Sequence, residues 1–494
     1  MANIGFDNDK YIELQSQKIL ERISSFGGKL YLEFGGKLFD DFHAARVLPG
    51  FCPDSKIKML MSMKENAEMI IVVSATSIEQ NKMRGDLGIT YDMDTLRLID
   101  AFTGIGMYVG GVVITQYSNQ PAADAFIKRL ENLGVKVYKH YPIDGYPTNV
   151  RKIVSDDGYG KNEYIETTKP LVVVTAPGPG SGKMATCMSQ LYHDHKRGIK
   201  AGYAKFETFP IWNLPLTHPV NMAYEAATVD LSDVNMIDPF HLEATGTTAV
   251  NYNRDIEIFP VLQAIFRQIY GECTYKSPTD MGVNMAGYCI YDDEAVCNAS
   301  KMEIVRRYYD TLCRKRNGIA DSEEVYKSEL IMSKVGVDVS FRRVVKAALD
   351  KAELTGEPAA AIELGDGTIV TGKTSKLMGA SAAALLNALK SLGGIDESIL
   401  LLPAVLMEPL QKLKVENLGN NNPRLHSDEV LIALAISATT NPVAAMAMEQ
   451  LPKLRGCQAH ISVMLSNVDK TIYKKLGIDL TSEPIYATKK LYHK

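Results

Sequence analysis

The sequence predicts an α/β protein built on a doubly wound, mostly parallel sheet. Short runs of β-branched residues alternate with amphipathic helices through the first 235 residues, the pattern of a sheet covered on both faces. A glycine-rich loop, APGPGSGK (176–183), joins one of these strands to a helix. A Gly-Asp-Gly turn near residue 366 separates two short strands, which predicts a hairpin in a second α/β domain.

The first part of the chain carries six predicted strands separated by helices. They are KLYLEF (29–34), EMIIVV (68–73), VGGVVITQY (109–117), VKVYKHY (135–141), PLVVVT (170–175) and IKAGYAKFETF (199–209). One intervening helix begins near Asp92 or Asp94, either of which is a suitable N-cap. Another, PAADAFIKRLENLG, has proline at its start and glycine just past its end. Helical crossovers of this kind predict parallel pairing.

The rest of the chain divides into two further regions. Helical spacing dominates from residue 236 to about 350. A C-terminal α/β domain then follows over 351–494, with the hairpin, the small-residue helix GASAAALLNAL, a predicted strand at 398–407, two more helices and a last strand, CQAHISVMLS. We therefore predict three domains, 1–235, 236–350 and 351–494.

Composition narrows the class of protein. The formal net charge of −4 gives no basic footprint for nucleic acid or an anionic membrane surface. The sequence has no apolar run of about 18 residues and no signal peptide at its start. Its seven cysteines form no C-x-x-C pair, which predicts reduced thiols, no structural zinc or other cysteine-bound metal, and a cytoplasmic protein.

The glycine-rich loop almost matches the phosphate-binding pattern G-x-x-x-x-G-K-[ST]. The candidate phosphate ligands are Gly178, Gly180, Ser181, Gly182 and Lys183. Pro177 replaces the first glycine, and Met184 replaces the hydroxyl residue that binds Mg²⁺. Thr186 points about 200° away from position 184 on a helix. The pattern favours anion binding over standard Mg-ATP hydrolysis, and leaves ATP or another nucleotide, with or without Mg²⁺, as the candidate cofactor.

Other candidates come from the segments that follow predicted strands, because ligands of parallel sheets bind outside the carboxyl ends of the strands. Lys183 is a candidate catalytic cation, and Glu207 a candidate catalytic acid that could hold a metal or a water. The candidate ligand contacts are Lys37, Lys82, Arg84, Asn119, Arg254 and Asp280. Each of these residues could equally be an ordinary solvated loop residue.

Several motifs resemble an uncharacterised bacterial family, domain of unknown function 1846. They include KLYLEFGGKLFDDFHAARVLPGF, APGPGSGKMATC, KFETFPIWNLPLTHPVN, MIDPFHLEATG, VNYNRDIEIFP and KSPTDMGVNMAG. The resemblance spans the chain and implies a cytoplasmic multidomain protein, without implying an activity. The C-terminal hairpin and helix also resemble the core of cytidine deaminases, but Gly379-Ala380-Ser381 and Pro403-Ala404-Val405 stand where the zinc ligands belong, so the analogy concerns topology alone.

The sequence thus predicts a protein that binds a nucleotide or another phosphorylated small molecule at residues 176–183, with phosphotransfer as a candidate activity. Two alternatives stay open. One is a non-catalytic phospho-ligand binding protein, and the other an enzyme that uses the loop for a substrate anion without a nucleotide. The apolar helices between Ala433 and Met448 further predict a homo-oligomer.

Overall fold

The computed structural model describes residues 4–85, 87–231 and 233–488. These residues form two compact units, here called the N-terminal unit (4–224 and 233–296) and the C-terminal unit (225–231 and 297–488). Both units are of the α/β kind. The domain boundaries predicted at 235 and 350 stay predictions.

The N-terminal unit contains a seven-stranded parallel sheet. Its strands are β1 Leu30–Phe34, β2 Ala67–Ser74, β3 Tyr108–Thr115, β4 Val137–Lys139, β5 Leu171–Thr175, β6 Gly202–Phe206 and β7 Gly282–Val283. Their spatial order is β7-β6-β1-β5-β2-β3-β4, and every neighbouring pair is parallel. All six predicted strands are confirmed. The seventh has only two residues, too few for a sequence pattern to reveal.

Helices cover both faces of this sheet. They are α1 Asn8–Ser25, α2 Ser55–Ser62, α3 Tyr91–Gly104 and α4 Pro121–Asn132 on one face, and α5 Lys183–Lys196 and α6 Asn253–Tyr270 on the other. The strands are buried on both sides, which explains their runs of valine and isoleucine. Pro121 opens α4 as predicted. The N-cap of α3 is Thr90, so Asp92 and Asp94 lie in its first turn rather than at the cap.

Shorter elements connect this framework. They are the helices Phe42–Val47, Ala75–Glu79, Val150–Ile153, Pro219–Ala227, Pro239–Thr245 and Pro278–Met281, and the strand pairs Met83–Arg84 with Ile89–Thr90 and Asn235–Ile237 with Val250–Tyr252. Both strand pairs are antiparallel.

The C-terminal unit is built around a mixed four-stranded sheet. Its strands are β8 Ala359–Glu363, β9 Ile369–Lys373, β10 Gln458–Ile461 and β11 Asp479–Ser482, in the order β9-β8-β10-β11. The predicted hairpin is confirmed, because β8 pairs antiparallel with β9. β8 is also antiparallel to β10, whereas β10 and β11 are parallel.

The remaining helices are α7 Asp293–Arg316, α8 Ser322–Lys334, α9 Arg343–Thr355, α10 Ala380–Leu392, α11 Ala404–Lys412, α12 Ser427–Ala438, α13 Pro442–Met448 and α14 Asn467–Lys475. The strand predicted at 398–407 is wrong. Pro403 is the N-cap of α11, and the apolar run that suggested a strand contains exposed residues such as Leu400. Among the described residues, none of the helices combines the length and the apolar character needed to cross a bilayer.

Candidate functional site

The glycine-rich loop lies at a topological switch point of the N-terminal sheet. From β1 the chain crosses to β2 through α2, which packs on one face. From β5, the neighbour of β1, it crosses in the opposite direction to β6 through α5, which packs on the other face. Adjacent strands whose crossovers diverge leave a crevice at their carboxyl ends, where ligands of open α/β sheets bind. The loop 176–182 follows β5 and borders this crevice.

The loop has the backbone conformation that its glycines allow. Gly180 has φ +77° and Gly182 φ +93°, in the left-handed region that other residues rarely adopt. A Cβ at Gly178 would come within 2.2 Å of the Tyr91 hydroxyl. The Ser181 hydroxyl donates to the Gly178 carbonyl (2.8 Å), and the Ser181 carbonyl accepts from Thr115 Oγ1 (2.6 Å). The loop is therefore fixed, and the Ser181 hydroxyl is engaged within it.

Lys183 is the first residue of α5 and is half-buried. Within the described part of the chain it makes no hydrogen bond or ion pair. Met184, at the position of the usual magnesium-binding hydroxyl, packs against the apolar core between α5 and the sheet. Thr186 is fully buried. The start of α5 thus offers a lysine and a helix N-terminus to an anion, but no exposed hydroxyl at position 184 for Mg²⁺.

A cluster of charged side chains lies at the ends of β1 and β6. Lys205, on β6, lies 2.8 Å from a carboxylate oxygen of Glu207 and also pairs with Asp255 in the first turn of α6. The Tyr252 hydroxyl donates to Glu207 (3.2 Å). Glu207 is only 3% exposed. The carboxylates of Glu207 and Asp255 therefore share the single ammonium group of Lys205, and the Glu207 carboxylate is almost completely shielded from water.

This environment changes the proton affinity of Glu207. Burial raises the pKa of its carboxyl group from 4.5 to about 7, with Lys205 opposing the rise and Asp255 adding to it. For Lys205, burial alone would lower the pKa, but the carboxylates of Asp255, Glu207 and Glu33 outweigh it and raise the pKa. A carboxyl group whose pKa is raised toward neutrality has the property that a general acid or base requires.

Glu33 belongs to the same group of buried charges, since its carboxylate helps to raise the pKa of Lys205. It is a buried residue of β1 and accepts a hydrogen bond from the Tyr203 hydroxyl (2.7 Å). Burial raises the pKa of the Cys187 thiol on α5; the charge of Glu33 adds to the rise and that of Lys183 opposes it. Because β1 lies between β5 and β6, the ends of those two strands are about 10 Å apart, two strand spacings. The ends of β5 and β6, which lead into the glycine-rich loop and to Glu207, therefore lie close together at the same edge of the sheet.

The other predicted ligand contacts lie in several places around the sheet. Lys37 is exposed after β1, and Asn119 has φ +60° in the loop after β3. The ammonium of Lys82 lies 5.2 Å from the centroid of the Tyr91 ring, beside the loop.

The remaining three contacts are engaged with protein groups. Arg84 pairs with Asp94 at 2.8 Å, and Arg254 pairs with Asp233 at 2.5 Å. Asp280 accepts from the Lys276 N–H and lies 3.5 Å from Arg22. Each of these three residues thus already has a protein partner, and a ligand contact would use its remaining hydrogen-bonding positions or replace that partner.

Sequence reasoning missed Glu33 and Lys205, and it indicated Asp255 and Tyr252 only as members of the polar segment 250–257, which could line a pocket or cap a helix. A signal for the first two was present, since each is a charged residue inside an apolar strand, LYLEF and GYAKF. Charged residues are seldom buried unless they are paired, so a charge in a strand buried on both faces indicates a polar site. Asp255 and Tyr252 come from a segment about 50 residues further along the chain and carry no comparable local signal.

Two family models match the chain. Domain of unknown function DUF1846, N-terminal, covers residues 4–336, and the corresponding C-terminal domain covers residues 340–492. A UPF0371 protein of Streptococcus pyogenes serotype M5 (strain Manfredo) is 58% identical over 494 residues, which is 100% of both chains. A UPF0371 protein of Streptococcus thermophilus (strain ATCC BAA-491 / LMD-9) is likewise 58% identical over 494 residues, again 100% of both.

Proposed function

The chain belongs to the DUF1846 family, and from the geometry of its N-terminal unit we propose that it binds a nucleotide or another phosphorylated small molecule at residues 176–183. One observation carries the proposal. The loop, which has two glycines in the left-handed region, leads directly into the N-terminus of α5, and it follows β5, whose crossover runs in the opposite direction to that of its neighbour β1. Backbone N–H groups and the helix dipole at such a place favour a phosphate group. Lys183 would supply the neutralising charge.

Chemistry at this site would involve Glu207. Because the ends of β5 and β6 are about 10 Å apart, the phosphoryl group of a ligand bound at the loop would have to extend across β1 to meet an acceptor beside Glu207. Glu207 would accept the proton of an acceptor hydroxyl, and Lys183 would stabilise the charge that develops on a transferred phosphoryl group. Phosphotransfer is therefore the candidate reaction.

The position of Met184 favours a second candidate function, that of a binding protein. A methionine stands where phosphate-binding loops carry the serine or threonine that coordinates Mg²⁺, and its side chain packs against the core. A site that holds a phosphate through backbone N–H groups and one lysine can bind its ligand without turnover. Release of phosphate from Mg-ATP or Mg-GTP, measured with and without candidate acceptors, separates the two functions.

Thermal unfolding tests the binding proposal. A ligand at about 100 times its dissociation constant stabilises a protein by about 2.7 kcal/mol, which raises the melting temperature of a unit of this size by about 5–10 °C. ATP, ADP, inorganic phosphate and a panel of sugar phosphates are the probes. We expect Lys183→Ala to abolish the shift and Lys128→Ala, an exposed lysine on α4, to preserve it. A full shift in Lys183→Ala would mean that the loop is only a structural turn.

We also propose that the C-terminal unit shares its core topology with cytidine deaminases. The strand order β9-β8-β10-β11, with β8 antiparallel to both neighbours, and the helix that follows the hairpin support the analogy. Zinc chemistry is not part of the proposal, because the start of α10 carries Ala380 and Ser381 in place of a histidine or cysteine ligand.

A further inference from the structure

The glycine-rich loop extends over the carboxyl end of β2, on the side of β5 away from Glu207. Thr115, the last residue of β3, donates from Oγ1 to the Ser181 carbonyl (2.6 Å), and a Cβ at Gly182 would lie 3.0 Å from Thr115 Cγ2. Because β2 lies between β5 and β3, a loop that leaves β5 and contacts the end of β3 passes the end of β2. A ligand that extends from the loop on this side meets the segments that follow β2 and β3.

Lys82, in the segment after β2, is held beside the start of the loop. Its ammonium lies 5.2 Å from the centroid of the Tyr91 ring, and its carbonyl accepts from the Tyr91 N–H (2.9 Å). The hydroxyl at the far end of the Tyr91 side chain touches the loop, since a Cβ at Gly178 would come within 2.2 Å of it. Lys82 and Gly178 thus lie at the ring and at the hydroxyl of one buried tyrosine.

The ammonium of Lys82 is available to a ligand. Lys82 is exposed, and within the described part of the chain its side chain makes no hydrogen bond or ion pair. Arg84, two residues further on, differs because it pairs with Asp94 at 2.8 Å. The face of an aromatic ring attracts a cation but leaves the three N–H donors of a lysine for an anion.

The backbone beside Lys82 has an unusual conformation. Asn81, the residue before it, has φ +48°, and Gln116 and Asn119, in the segment after β3, have φ +52° and +60°. Residues other than glycine rarely adopt this left-handed region, and those that do are concentrated at ligand sites and other functional sites. The one other described non-glycine residue of this kind, Asp40, follows β1. All four thus lie in segments at the carboxyl edge of the N-terminal sheet.

The charges at this edge distinguish between phosphorylated ligands. A single phosphate group is satisfied by the backbone N–H groups of the loop and by Lys183. A second, linked phosphate brings further negative charge, which phosphate-binding loops ordinarily share with Mg²⁺. Met184 stands at the position of the Mg²⁺-binding hydroxyl and packs against the core, so a side chain has to supply the neutralising charge here. Lys82 is a cation without an acidic partner on the side to which the loop extends.

We propose that the loop binds a diphosphate group, as in a nucleoside diphosphate or another diphosphate ester, without Mg²⁺, and that Lys82 holds the second phosphate. The inference rests on the proposed function, because it requires the first phosphate to be bound at residues 176–183. A lysine binds phosphate as a compact point charge on a flexible four-carbon stem, so the ammonium can leave the Tyr91 ring for the ligand. Lys82 therefore selects diphosphates over monophosphates.

Calorimetry of the full chain in EDTA tests the proposal, with inorganic pyrophosphate and inorganic phosphate as matched probes. We expect pyrophosphate to bind at least about tenfold more tightly, because a hydrogen bond to a charged group contributes roughly ten- to hundredfold in affinity. Lys82→Ala should reduce this preference to less than about threefold and leave the affinity for phosphate unchanged, whereas Lys82→Arg should retain the preference. Lys128→Ala, at an exposed lysine of α4, is the control and should match the wild type.

The outcomes separate this inference from the proposed function. If neither probe binds the wild type, the proposed function fails and the inference fails with it. If both bind but Lys82→Ala keeps the full preference for pyrophosphate, or weakens both probes equally, the loop binds phosphate and the role given to Lys82 is wrong. A preference that appears only when Mg²⁺ replaces EDTA would also overturn the inference, since a metal would then carry the charge assigned to Lys82. ADP that binds no more tightly than AMP would overturn the assignment to diphosphate esters.

Discussion

Replacing Glu207 with glutamine should change how the stability of the N-terminal unit depends on pH. Glu207 is only 3% exposed. It and Asp255 both pair with one ammonium group, that of Lys205. The pKa of Glu207 rises from 4.5 to about 7. A raised folded-state pKa contributes stability that is complete below pH 4.5 and is lost as the pH rises through 7.

The size of the effect follows from the two pKa values. Each pKa unit corresponds to about 1.4 kcal/mol, so deprotonation of Glu207 removes about 3 kcal/mol from the free energy of unfolding by pH 8. Glutamine imitates the protonated acid and cannot titrate. Glu207→Gln should therefore match the wild type at pH 4.5 and exceed its stability by about 3 kcal/mol at pH 8.

Urea unfolding followed by tryptophan fluorescence measures this difference. The only tryptophan of the chain, Trp212, lies in the N-terminal unit and reports on its unfolding. Glu13→Gln, at an exposed residue of α1, is the control and should follow the wild type at every pH. Parallel stability curves for wild type and Glu207→Gln from pH 4.5 to 8 would refute the account of a destabilised carboxylate at this site.

Three further predictions concern the loop and the assembly. Gly182→Ala should cost about 1–2 kcal/mol of stability, because φ is +93° there and a Cβ is strained in that region; chemical denaturation measures this. Met184→Ser should give no gain in Mg²⁺-dependent ATP binding by calorimetry, since position 184 faces the core; a clear gain would favour a nucleotide-hydrolysing ancestry. Light scattering should give at least twice the chain mass of 54.4 kDa, and Ile432→Glu, at a residue 61% exposed on α12, should reduce it to the monomer mass.

The sequence pattern was sufficient to predict six of the seven strands of the N-terminal sheet. Its strands are continuous β-branched runs, and a run such as Leu171–Thr175 must be buried wherever it lies. The same argument failed at 398–407, where apolar residues precede a proline that starts a helix. The apolar residues of this segment lie partly on the surface, and a short apolar run of this kind cannot be distinguished from a buried strand by its periodicity alone.

The glycine-rich loop and a buried hydrogen-bonded cluster around Asp469, in the C-terminal unit, differ in how far they could be predicted. The loop 176–183 is contiguous, so its spacing is visible in the sequence. The cluster around Asp469 draws on Ser381, His426 and Ser466, and the largest separation is 88 residues. Those residues meet only because three helices start at the same place in the folded unit. A short polar residue at the start of a helix is ordinarily an N-cap. Nothing in the local sequence shows that such a residue also bonds to the start of another helix.

Crystals soaked in selenate test the central claim, that the glycine-rich loop binds a phosphate-like anion, most directly. Selenate imitates phosphate in shape and gives an anomalous signal that identifies it. We predict a peak within about 3 Å of backbone N–H groups at Gly180–Lys183, displaced by ATP or a phosphorylated ligand and absent in Lys183→Ala. An empty loop in crystals that bind selenate elsewhere would contradict the account.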